Sequence, residues 1–147
     1  MTTQQVKASA ILDNTPEAVL GYIADVRNRT YFLPSLKAIT NVQGEPASAS
    51  TTWSWTWVLL GMEFVGTGRS LDYQPGKTYS FQTEGGIASK WTYTVAPEGK
   101  GTRLTIQVEY QPPAGVLGML SGDPQTRHQA EVDQVLKNLK TILDRNT

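Results

Sequence analysis

Few side chains in this 147-residue chain are equipped for chemistry. There is one histidine, His128, and no cysteine. Disulfides, thiolate metal sites and cysteine nucleophiles are therefore excluded, as is any site built on several histidines. His128 is the one side chain whose ordinary titration lies near neutrality, which makes it the leading proton-transfer candidate. It also stands four residues before Val132 and extends the apolar stripe of a C-terminal helix. A plain helix residue near the surface is thus the competing reading. Arg69, in the run GTGRSLDY, would anchor a carboxylate or polarise a carbonyl if it faced inward. Gly61, Gly66 and Gly68 permit bulges that reset strand alternation, so its face stays open. Turned outward, it is a solvated arginine, and Glu63 on the same parity is its natural ion-pair partner. No Walker loop, GxSxG elbow or HExxH is present. Gly66-Thr67-Gly68 is too short for a dinucleotide fingerprint and precedes a strand. No metal and no cofactor is called for, and no carboxylate pair is placed for glycoside chemistry.

The aromatic residues are the other unusual group. Four Trp and six Tyr outnumber three Phe. Tyr and Trp suit places where an apolar body meets a polar group or water. Trp53, Trp55 and Trp57 alternate, and period two puts all three on one sheet face. They either form a packed wall under a helix or line a ligand cavity; facing outward, they would mark an interface. Trp91 and Tyr93 share a parity, and Tyr110 shares one with Leu104, Ile106 and Val108. Both sets are expected on the same concave face. The Tyr93 and Tyr110 hydroxyls would then need partners from protein, water or ligand.

The elements that must position these residues follow from pattern. Residues 4–12 alternate and read as a strand. Thr15 before Pro16, or Asn14 with Glu17, starts a helix carrying Val19, Leu20, Ile23 and Val26 at helical spacing. The stretch RNRTYFLPS is short and aromatic and reads as a brief second helix ended by Pro34. Residues 36–111 switch to period two: six strands separated by Gly44-Glu45-Pro46, Gly61, Pro75-Gly76, Gly85-Gly86 and the 97–101 turn. Pro112-Pro113 stops the last strand. Asp123-Pro124 restarts a helix to about Leu143, with Val132, Val135, Leu136, Leu139, Ile142 and Leu143 as its stripe. Asp133 and Lys137 are an expected i,i+4 pair. Only one face of that helix is apolar, so a curved antiparallel sheet closed by the helix is the economical arrangement.

Those residues resemble a known family. TPEAVLGYIADV with FLPSLKAI, the segment GKGTRLTIQVEY and the closing NLKTIL are similar to the START-like superfamily. Within it, the polyketide cyclase/dehydrase and lipid-transport group (SRPBCC proteins) is nearest in pattern. The resemblance implies an α+β helix-grip fold: a seven-stranded curved antiparallel sheet around a long C-terminal helix, with two short helices between strands 1 and 2 and an apolar cavity within. Such proteins bind lipids, sterols, hormones, quinones or polyketides, and only some are enzymes; fold alone supplies no reaction. Gly122-Asp123-Pro124 departs from the pattern, leaving a short separate helix within 115–123 or a kinked helix start. The segment 112–124, rich in Gly and Pro, is expected to act as a lid.

The expectation is a single domain over residues 1–147 that binds, and in one version transports, a hydrophobic small molecule. Trp53, Trp55, Trp57, Arg69, Trp91, Tyr93, Tyr110 and His128 are its candidate contacts. The alternative is a cyclase or dehydratase acting on an aromatic or polyketide-like substrate, with His128 and Arg69 as catalytic candidates. A third reading is a protein-interaction module with a vestigial cavity. Thirteen basic and thirteen acidic residues give zero formal charge, so no nucleic-acid partner is expected. The apolar run 58–60 is far below the ~20 residues of a span. The start MTTQQVKASAIL carries no signal-peptide pattern, and a cytoplasmic monomer or homodimer is expected.

Overall fold

The alternating segments between 36 and 111 pair in sequence order, and the first strand joins the last. The computed structural model describes residues 4–45, 47–59, 61–85, 88–111 and 124–144, with the side chains of Gln4, Leu59 and 124–128 outside that description. The strands are β1 Gln4–Leu12, β2 Leu36–Gln43, β3 Thr52–Leu59, β4 Met62–Gln74, β5 Thr78–Gly85, β6 Ala88–Glu98 and β7 Gly101–Gln111. They form one antiparallel sheet in the order β1-β7-β6-β5-β4-β3-β2. The helices are α1 Pro16–Ala24, α2 Arg29–Phe32 and α3 Pro124–Leu143, with a 3-10 turn Val26–Asn28 before α2. Among the described residues, no helix is long and apolar enough to cross a membrane.

Thr15 is the N-cap of α1. Its Oγ1 accepts from Ala18 N at 3.2 Å, and Pro16 opens the helix where a missing N–H costs nothing. The buried face carries Val19, Leu20, Ile23 and Ala24. β1 and β2 are opposite edges of the sheet, so the α1–α2 connection must travel from one edge to the other. α1 packs on β5, β6 and β7 as it goes. Gly21 lies inside α1, where glycine costs helix stability. A Cβ there would sit 3.8 Å from the Tyr73 hydroxyl, an ordinary contact. Gly21→Ala is expected to raise stability by about 0.5–1 kcal/mol, read as a higher urea midpoint.

The C-terminal helix closes the concave face. Val132, Val135, Leu136, Leu139 and Leu143 are buried, while Ile142 is exposed. α3 runs along the β1 edge, where Gln129 donates to Lys7 O at 3.2 Å and Lys140 to Ile11 O at 3.3 Å. Asn138 donates to Phe32 O at 3.1 Å and joins α3 to α2. Asn14 donates to Leu143 O at 3.0 Å, fixing the end of α3 to the β1–α1 turn. The bonds to Lys7 O and Ile11 O cover β1 edge carbonyls that would otherwise template another strand. Asp133 does not pair with Lys137; it accepts from Gln129 at 3.2 Å, and the charged pair of the last turn is Lys140–Asp144 at 2.8 Å.

The glycines of β4 do something other than bulge. β3 and β4 keep unbroken register from Thr52↔Arg69 to Leu59↔Met62. The irregularity falls between Ser70 and Asp72, on the β5 side. Gly66 and Gly68 lie opposite Trp55 and Trp53. A Cβ at either would collide with the neighbouring indole. Their lack of a side chain lets two tryptophan rings lie across β4, and the Trp55 Nε1 reaches Thr67 O at 2.9 Å.

Candidate functional site

Unbroken β3–β4 register settles the faces. Trp53 and Trp55 are buried on the concave side, and Trp57 is partly buried against the core. β5 and β6 place Tyr79 opposite Tyr93 and Phe81 opposite Trp91. Those four rings form a stacked block. Phe81 and Trp91 lie 6.0 Å apart with an interplanar angle of 8°, Trp91 and Tyr93 6.1 Å apart, and Tyr79 and Tyr93 6.4 Å apart. Trp53 meets Phe81 edge-on at 5.6 Å, and Tyr73 meets Tyr79 edge-on at 5.8 Å. β7 continues the surface with Leu104, Ile106, Val108 and Tyr110, all buried. The concave face is therefore one aromatic and aliphatic wall.

Into this wall projects a charge that sequence reasoning did not single out. Arg29, the first residue of α2, is 1% exposed. Its Cζ lies 4.3 Å from the Phe81 ring centre, 4.5 Å from Trp53 and 5.2 Å from Tyr79. Its Nη2 donates to the Tyr79 hydroxyl and, at 3.4 Å, to Ala24 O. The Tyr79 hydroxyl is shared with Ser70 Oγ at 2.7 Å. Among the described residues, Arg29 Nε and Nη1 are buried with no partner, and so is the Tyr93 hydroxyl. Burial drives the Tyr93 phenol well above its ordinary titration range, while the nearby Arg29 charge pulls the other way.

Other predicted site residues lie elsewhere. Arg69 is exposed on the convex face, because Gly68 and Ser70 take the inward positions around it. It lines an open groove of about 230 Å³ with Asn41, Thr52, Ser54, Thr67 and Glu84. Glu63 does not pair with Arg69; it pairs with Lys37 at 2.6 Å on the surface. His128 belongs to α3, but its side chain lies outside the described residues, as does the expected lid segment through 123.

Glu131 is a half-buried ionisable group missed in the sequence. It precedes Val132 and shares an i,i+4,i+8 row with the buried Val135 and Leu139. Burial raises its carboxyl above the ordinary value, and hydrogen bonding with Ser35 works the other way. Its Oε1 has no partner among the described residues. A folded-state pKa above the unfolded one means folding favours the neutral acid. That contribution is complete below the unfolded value of about 4.5 and is lost as pH rises through the folded value. Asp25, held below the usual carboxylate range chiefly by its hydrogen bond from Arg27, behaves oppositely and loses its contribution as pH falls. Subtracting a Glu131→Gln stability profile from the wild-type profile cancels Asp25. The difference is expected to fall with rising pH above about 4.5; a flat difference would show Glu131 to be solvated.

The family described as polyketide cyclase / dehydrase and lipid transport matches residues 3–144. No curated protein matches the chain. Among solved structures, a protein from Thermus thermophilus is similar at 23% identity and TM-score 0.78, over 93% of this chain and 94% of that one. A Chromobacterium violaceum protein is similar at 20% identity and TM-score 0.73, over 96% and 97%. The di-domain ARO/CYC StfQ from the steffimycin biosynthetic pathway matches at 10% identity and TM-score 0.73, with 96% of this chain covering 51% of that chain. At these identities the likeness is one of fold.

Proposed function

Because the chain belongs to the polyketide cyclase/dehydrase and lipid-transport family, we propose that it binds a hydrophobic small molecule between the concave sheet face and α3. The observation that carries this reading is the stacked block of Tyr79, Phe81, Trp91 and Tyr93 with an unpartnered hydroxyl set into it. A Tyr hydroxyl buried without a partner is a cost that a guest's polar atom removes. Stacked rings supply broad apolar contact, at about 25 cal/mol per Å² removed from water, and the polar atoms orient the guest. The wall residues are closed over in this structure, with Tyr79 and Tyr93 fully buried. Binding therefore requires the helix layer to move off the sheet.

Native mass spectrometry of protein purified from its own host tests the reading. A non-covalent small-molecule adduct, lost on denaturation, is the expected result. Protein carrying only its own mass, which also fails to take up any apolar aromatic probe, would overturn it.

A further inference from the structure

We propose that Arg29 is the anchor for an anionic oxygen, so that the guest of this interior is an organic acid: a flat apolar body ending in a carboxylate or enolate. The inference rests on the hydrophobic-ligand reading above and narrows its chemistry. Arg29 is buried as completely as the core leucines. Among the described residues it has no carboxylate within ion-pair distance. Asp25, four residues away, is committed to Arg27 through contacts of 2.7 and 3.0 Å. The two acceptors Arg29 does have are neutral, and both serve Nη2. Nε and Nη1 have none.

The faces of Trp53, Phe81 and Tyr79 attract the cation, but ring faces near Cζ do not satisfy in-plane N–H donors. A methionine would fill the same space without burying a charge. Tyr79, itself fixed by Ser70, holds the guanidinium in one orientation, so Tyr79 is a positioning residue. The Tyr93 hydroxyl lies within the electrostatic reach of Arg29 and lacks a partner. An anionic oxygen would meet the Nε and Nη1 donors of Arg29 while the rest of the molecule lay on the ring block. A neutral lipid would leave the cation as it is.

The test compares two probes of equal shape on the full chain, 2-naphthoate and the neutral 2-naphthalenemethanol, by quenching of tryptophan fluorescence. Wild-type protein is expected to bind naphthoate roughly tenfold tighter or better. Arg29→Met is expected to abolish that preference while keeping the affinity for 2-naphthalenemethanol. Arg69→Met, on the convex face, is expected to keep the preference. Equal affinities on the wild type would overturn the anchor alone, and that comparison needs no variant to fold. A preference that survives Arg29→Met, or is lost in Arg69→Met, would overturn it too. Binding of neither probe would overturn the hydrophobic-ligand reading and the anchor with it.

Discussion

Tyr79→Phe is expected to destabilise the protein by about 1.5–3 kcal/mol, although it removes one oxygen and leaves the ring in place. That oxygen accepts from the buried Arg29 and is shared with Ser70 at 2.7 Å. Without it the guanidinium keeps only the long contact to Ala24 O at 3.4 Å, and the buried Ser70 hydroxyl loses its partner. The loss is asymmetric: a buried group stripped of its partner costs more than the bond contributed when made. The same logic predicts that Tyr79→Phe costs markedly less in an Arg29→Met background, because the charge it would strand is gone. Urea unfolding of the four proteins measures both statements. Equal costs in the two backgrounds would show that Arg29 does not depend on Tyr79.

Gly66→Ala carries the other large expected effect, a loss of about 1–3 kcal/mol or more. The added methyl would run into the Trp55 ring on one side and the Glu84 backbone carbonyl on the other. Neither can yield cheaply. Trp55 is buried and tied to Thr67 O, and Glu84 belongs to the paired strand β5. Gly85 already approaches Gly66 with φ of 103°, a conformation glycine tolerates. The variant should unfold at lower urea and show altered tryptophan emission. Unchanged stability would mean that β4 and the indole do not approach as described. The contrast with Gly21→Ala, expected to stabilise, separates glycines needed for close approach from one that is not.

Much of the wall was legible from period two alone, because alternation needs only the next strand residue to choose a face. Trp53, Trp55, Trp91 and Tyr93 follow it to the concave side. Tyr79 and Phe81 carried the same signal within TYSF and were not singled out. Arg29 offered no local sign. It sits among other charged and polar residues in RNRT, and its burial depends on where a four-residue helix lands on a sheet formed later in the chain. The parity of Arg69 depended on whether nearby glycines bulge. Their purpose became visible only with the cross-strand indoles in place, since Gly66 and Gly68 answer to β3 and not to their own strand. Glu131 lay one residue before the recognised stripe, where the helix stripe meets Ser35.

The claim that an acidic apolar guest lies inside the grip is tested most directly by where a probe perturbs the protein. The side-chain N–H signals of Trp53, Trp91 and Arg29 report the concave face, and Arg29→Met identifies the arginine signal. The backbone amides of Thr52, Thr67 and Arg69 report the convex groove. On titration with 2-naphthoate, the Trp53, Trp91 and Arg29 side-chain signals are expected to shift, with the convex amides little changed. Shifts confined to Thr52, Thr67 and Arg69 would place the anion outside the sheet and contradict it.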